Sequence, residues 1–162
     1  MALSGASLKS GLEALFRQRP DSAAQAADTW ANAYGSYAGG AMTSAGSLAT
    51  NAAASFGILS GAFNSALQAR SPAGAAALMG QGVMAFWQAI VWASPGGFVG
   101  ATTVPGNFSL IAALTGIFAD LQEKSEADQA GELADAFDAG ARMVMVTDIH
   151  AVSGVTVVGP IN

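Results

Sequence analysis

Apolar residues recur at helical spacing along most of this 162-residue chain. Leu8, Leu12, Leu15 and Phe16 fall on one side, with Lys9, Glu13 and Arg17 opposite, which predicts an amphipathic helix over about 7–19. Pro20 ends it. Asp21 or Ser22 then caps a helix over 23–37 in which Trp30, Tyr34 and Tyr37 lie three and four apart. That aromatic stripe reads as core packing; the same spacing would suit an aromatic belt at a membrane interface. After Gly39-Gly40, a long helix is predicted from Thr43 or Ser44 to about Ala69. Its apolar stripe is Leu48, Ala52, Phe56, Leu59, Phe63 and Leu67. Its other face is polar, small and uncharged: Ser47, Thr50, Asn51, Ala54, Gly61, Asn64 and Gln68.

Ser71-Pro72 is a strong helix start, a capping Ser followed by Pro at the first helical position. The helix it opens is predicted to reach about Trp92, with Met79, Val83, Phe86 and Ile90 in its stripe and Gln81 and Gln88 sharing another face. The Gly-, Pro-, Thr- and Ser-rich text over 93–106 reads as a loop. Asn107 can cap a further helix to about Lys124 carrying Leu110, Ile111, Leu114, Ile117, Phe118 and Leu121. Ser125-Glu126-Ala127-Asp128 resembles a capping box with Asp in the last position. The helix that follows, to about Arg142, sets Ala130, Leu133, Ala134, Phe137 and Ala141 against an acidic, water-facing side of Asp128, Glu132, Asp135 and Asp138. Beyond Arg142 the periodicity changes. Segments 143–149 and 152–158 are rich in β-branched residues, with Ser153-Gly154 able to turn between them. The pattern predicts a mainly α fold: a bundle of five or six helices over 1–142, then a β-hairpin or extended β arm over 143–162.

Charge sharpens this picture. Between Asp28 and Asp120 the only charged residue is Arg70, and the whole chain is 10% charged, against about 25% for an ordinary globular chain. Water-facing helices normally carry Lys, Glu, Arg and Asp. Much of 29–119 is therefore expected to face another protein, a copy of the chain, or lipid. Gly57-x-x-x-Gly61 would let a second backbone approach closely. The interface candidates are Asn51, Gly57, Gly61, Asn64, Gln81 and Gln88, with Val155, Val157 and Val158 on the arm, which is expected to add to a sheet edge of a neighbouring chain. A net charge of −5 without any Lys/Arg cluster argues against nucleic-acid binding. For a spanning helix, 73–93 comes nearest, yet it holds Gln81, Gln88 and three glycines. A small holin-like membrane protein is thus the alternative reading.

The chemistry-bearing residues are few. Gly80-Gln81-Gly82-Val83-Met84-Ala85 matches a dinucleotide fingerprint by letters, but no strand precedes it and no acidic residue follows about 20 positions on. Its glycines read instead as permitting close helix contact. Asp148, the single histidine His150 and Ser153 lie near each other, without the rigid nucleophile elbow and oxyanion hole that a triad needs. Cysteine is absent, and one His with one Asp cannot make a zinc site. No enzyme activity, cofactor or metal is expected.

In texture, Ala26-Ala27-Asp28-Thr29-Trp30-Ala31-Asn32-Ala33-Tyr34, Ala85-Phe86-Trp87 and the Val-Thr-Val-Val-Gly-Pro run to Pro160 make this chain resemble small Ala-rich proteins encoded among the structural genes of tailed bacteriophages. The resemblance implies a virion component of the tail, neck, baseplate or capsid surface. Its partners would be copies of itself and other virion proteins, assembled in the host cytoplasm.

Overall fold

The structure is a computed structural model that describes residues 3–18, 20–52, 54–103, 108–120 and 123–162. Six helices form: α1 (Gly5–Gln18), α2 (Ala23–Ala38), α3 (Phe56–Leu67), α4 (Pro72–Ala89), α5 (Phe108–Ala119) and α6 (Glu126–Arg142). Five strands accompany them: β1 (Leu48–Ala49), β2 (Trp92–Ala93), β3 (Phe98–Thr103), β4 (Met145–His150) and β5 (Thr156–Pro160).

Side-chain caps fix three helix starts as the sequence suggested. Ser22, Ser71 and Ser125 each accept from a backbone N–H three residues on, at Gln25, Gly74 and Asp128. Ser125 also donates its hydroxyl to the Asp128 carboxylate at 2.6 Å. Each helix packs on its neighbours in the chain, and α6 packs back on α1, which closes a ring of six. Aromatic rings fill the middle. Tyr34 of α2 meets Phe137 of α6 at 5.2 Å and Phe86 of α4 at 5.8 Å, and Phe63 of α3 meets Phe137 at 6.2 Å. Trp30, Tyr34 and Tyr37 are all buried, so the aromatic stripe of α2 is core.

The sheet departs most from the sequence reading. Its order is β1-β2-β3-β4-β5, antiparallel throughout. The pair α3–α4 is inserted between β1 and β2, and the pair α5–α6 between β3 and β4. Of the long helix expected from 43 to about 69, only Phe56–Leu67 forms, as α3. Gly46 takes φ +79, Thr43 and Ser47 tie off a tight turn, and Leu48–Ala49 becomes strand. The helix expected to run to Trp92 stops at Ala89, because Ile90 turns to ψ 132 and Trp92 joins the sheet. The loop expected over 93–106 holds the end of β2 and all of β3, joined by a turn at Ser94–Gly97 in which Gly97 has φ +85, while 104–106 lie outside the described residues. The cap expected at Asn107 and the stripe position Leu121 lie outside the described residues.

Residues 143–162 are correspondingly not a free-standing hairpin. β4 pairs with β3 over six residues, and Val144, Val146 and Ile161 are buried in the main core. One face of the sheet looks inward, with Trp92, Gly100, Val146 and Asp148 on it. Trp92 stacks on Trp87 of α4, with ring centroids 6.1 Å apart and planes 3° from parallel. Met42 completes the sheet. It bridges Leu48 on one side and exchanges backbone hydrogen bonds of 3.0 and 2.9 Å with Asn162 on the other. The first and the fifth strand therefore meet at one corner.

Candidate functional site

Charge is distributed by helix. On adjacent helices, α1 carries Lys9, Glu13 and Arg17, and α6 carries Glu126, Asp128, Glu132, Asp135, Asp138 and Arg142. Three consecutive members of the ring, α3, α4 and α5, carry none. Asp28 of α2 accepts a hydrogen bond from the Ser60 hydroxyl of α3. The ring is thus two-faced, one sector hydrated by charge and the other lacking it.

The uncharged sector holds most of the interface candidates. Gly57 and Gly61 are exposed on α3, and a side chain added at either would meet open space. Among the described residues none packs within 4 Å of a methyl placed at either. Ile58, next to Gly57, and Leu67, at the end of α3, are exposed at 37% and 41%. On α4, Leu78, Gln81, Ala85 and Gln88 lie three and four apart and all are exposed. The lone Arg70 stands where α3 turns into α4, at the rim of a groove of about 370 Å³ lined by Phe16, Trp30, Leu67, Met79 and Phe118.

Two candidates serve the chain internally. Asn64 is half-buried and accepts from Gln68 at 2.9 Å. Asn51 is not on a helix at all. Its amide donates to Ala89 O at 2.8 Å and its oxygen accepts from Val91 N at 2.7 Å, so it ends α4 and starts β2. Both groups would otherwise lack a partner where the helix stops. Asn51→Ala is expected to cost about 1–2 kcal/mol in a urea melt, with no effect confined to assembly.

On the sheet, Val155 and Val158 are 54% and 59% exposed, whereas Val157 is half-buried opposite Asp148. β5 is the end strand. His150 N bonds Val155 O and Ile161 N bonds Val144 O, so Thr156, Val158, Pro160 and Asn162 direct their backbone groups outward. Asn162 is taken by Met42, and Pro160 has no N–H and accepts from Ser44 at 3.3 Å. Among the described residues the open part of this edge is Thr156 and Val158.

The fingerprint-like glycines lie in mid-helix on α4. A methyl at Gly82 would clash with the Cβ of Ala62, so this glycine sets the close approach of α3 and α4. Asp148 is buried and its Oδ1 accepts from Ser47 at 2.7 Å. His150 Nδ1 is 2.9 Å from the Ser153 hydroxyl and accepts from Ser153 N at 3.1 Å, which pins the β4–β5 turn. Among the described residues no three His, Asp or Glu gather as metal ligands, and no helix is long and apolar enough to cross a membrane.

Two tyrosines of α2 tie it to α4 and to α6. Tyr34 accepts from Trp87 Nε1 at 2.8 Å, and burial pushes its phenol pKa up. Tyr37 donates to Asp138 at 2.7 Å; burial, then that hydrogen bond, raises its pKa as well. Burial works against the charged Asp138 carboxylate, but hydrogen bonds from Arg142 and Tyr37 outweigh it and hold the carboxyl below its usual range. Comparison with protein-family models, with curated proteins and with solved structures finds no match.

Proposed function

We propose that this chain is a non-enzymatic structural subunit that packs beside copies of itself in a larger protein assembly, and that the assembly is a bacteriophage particle. The observation that carries the packing is the uncharged sector of the ring. Three neighbouring helices with exposed Gly57, Gly61, Leu78, Gln81, Ala85 and Gln88 offer water no charge. Extended uncharged surface with exposed aliphatics marks an interaction site, and small side chains let a facing backbone come close. The virion assignment rests on the resemblance of sequence texture to small phage structural proteins.

The purified chain should self-associate in sedimentation velocity at high concentration. Gln81→Glu with Gln88→Glu should reduce that association, because like charges would then be buried against each other. The same pair of changes should move the thermal midpoint little, since exposed positions usually change stability by less than about 0.5 kcal/mol. A clean monomer of the unaltered chain, with neither partner nor detergent, would sink the self-packing. Flanking genes that encode tail or capsid proteins support the virion assignment, and a flanking endolysin gene would point to the holin-like alternative.

A further inference from the structure

One groove takes a residue from every helix of the ring. Phe16, Trp30, Leu67, Met79, Phe118 and Gln129, from α1 to α6 in order, line the opening of about 370 Å³ beside Arg70. Here α1, α3 and α5 finish and α4 and α6 begin, so this is the end of the ring away from the strands. Trp30 and Met79 are buried, and Phe16 and Phe118 are half-buried. Two of the lining side chains keep donors without a partner. Arg70 is the one charged residue among those lining the groove, and it makes no ion pair among the described residues. The Trp30 indole N–H has no acceptor among the described residues, whereas those of Trp87 and Trp92 donate to Tyr34 and Thr102, each at 2.8 Å. A buried indole N–H ordinarily has one.

We propose that this groove binds a small amphiphile with one aliphatic chain and one carboxylate, a medium-chain fatty acid being the type. Charge selects the head. Both unpartnered groups are donors, so the ligand has to bring acceptors, and a carboxylate brings two oxygens that only accept. A guanidinium pairs with a carboxylate through two parallel hydrogen bonds. No acidic side chain lines the groove to repel it or to occupy Arg70 first. A neutral head would leave Arg70 unpaired, and a cationic head would be repelled by it.

Size and lining select the body. Small-ligand sites enclose about 300–1,000 Å³ and are mostly apolar, with a few polar groups that fix orientation. This groove lies near the lower end of that range, which suits one aliphatic chain rather than two. Its apolar lining is three aromatic rings, an aliphatic and a thioether. The thioether adapts to irregular contours, so a flexible chain is accommodated without a fixed shape. The site is separate from the proposed packing face, since neither Gln81 nor Gln88 lines it. The ligand reading therefore does not rest on the assembly reading.

Titration calorimetry of the full chain with sodium dodecanoate, kept below its micellar concentration, should show one saturable site per chain. Dodecanol and dodecyltrimethylammonium carry the same chain on a neutral and a cationic head, and each should bind about tenfold more weakly or worse. Arg70→Gln should weaken dodecanoate by about tenfold and leave dodecanol unchanged. Leu67→Glu, at an exposed position on the same groove, sets a carboxylate there and should weaken dodecanoate as well. Both variants should keep the parent's circular dichroism spectrum. In nitrogen-15-labelled protein, dodecanoate should shift the indole resonance of Trp30 more than those of Trp87 and Trp92, which already have acceptors. No saturable binding of dodecanoate, equal affinity for the three heads, an Arg70→Gln protein that binds as tightly as its parent, or three indole resonances that move alike would overturn the proposal.

Discussion

Phe137→Ala is expected to lower the unfolding free energy by about 3–5 kcal/mol, while Asp135→Ala, two residues away on the same helix, should change it by less than about 0.5 kcal/mol. The contrast comes from the closed ring of helices. Phe137 is 1% exposed and touches Tyr34 and Phe63, so its ring joins α6 to α2 and α3 across the centre. Removing it leaves a void that three helices cannot close together, because each is also held by its other neighbour. Asp135 is exposed on the charged sector and makes no ion pair among the described residues. Thermal melts of the two variants check this, and the reverse order would mean that α6 is rotated about its axis.

Gly82→Ala should cost about 3 kcal/mol, the upper part of the range for overpacked cores, although Ala is the better helix former by about 1 kcal/mol. The added methyl would clash with the Cβ of Ala62. A Cβ cannot swing aside as a side-chain tip can, so α3 and α4 must move apart. Moving them would loosen Phe63 on α3 and Phe86 on α4, both fully buried. Ala62→Gly in the same chain should recover most of the loss, measured as a double-mutant cycle in urea. A Gly82→Ala protein as stable as its parent would mean that the two helices do not touch at this point.

The helices were legible where two signals coincided. For α1, α2, α4 and α6, a capping Ser or a bounding Pro agreed with an apolar stripe. In α1 and α6 the opposite face was charged as well, which fixed the orientation. The strands were legible only where β-branched residues ran together, as in 145–150 and 156–160. β1 and β2 are two residues long, too short to show any period. β3 was hidden because its outer positions, Val99 and Ala101, are no more polar than its inner ones, so the alternation that betrays a strand is missing. Asn51 was legible as an uncharged polar residue, but its partners Ala89 and Val91 lie about 40 residues on, and no local spacing connects them. The absence of charge over 29–119 was plain in the sequence. That it gathers on one side follows from α3, α4 and α5 packing in turn on each other, opposite the charged pair α1 and α6.

The corner at Met42 governs the order in which this molecule can be completed. The helical pairs α3–α4 and α5–α6 are built from contacts close in sequence, the kind that form quickly in a folding chain. The tie from Met42 to Asn162 joins positions about 120 residues apart, and the loop-closure entropy of so long a span has to be overcome before the contact returns anything. Sheet closure is therefore expected to follow helix formation, as refolding monitored by circular dichroism and by tryptophan fluorescence would show. Until that corner closes, the end strands keep unpaired backbone groups, the condition that favours pairing with another chain.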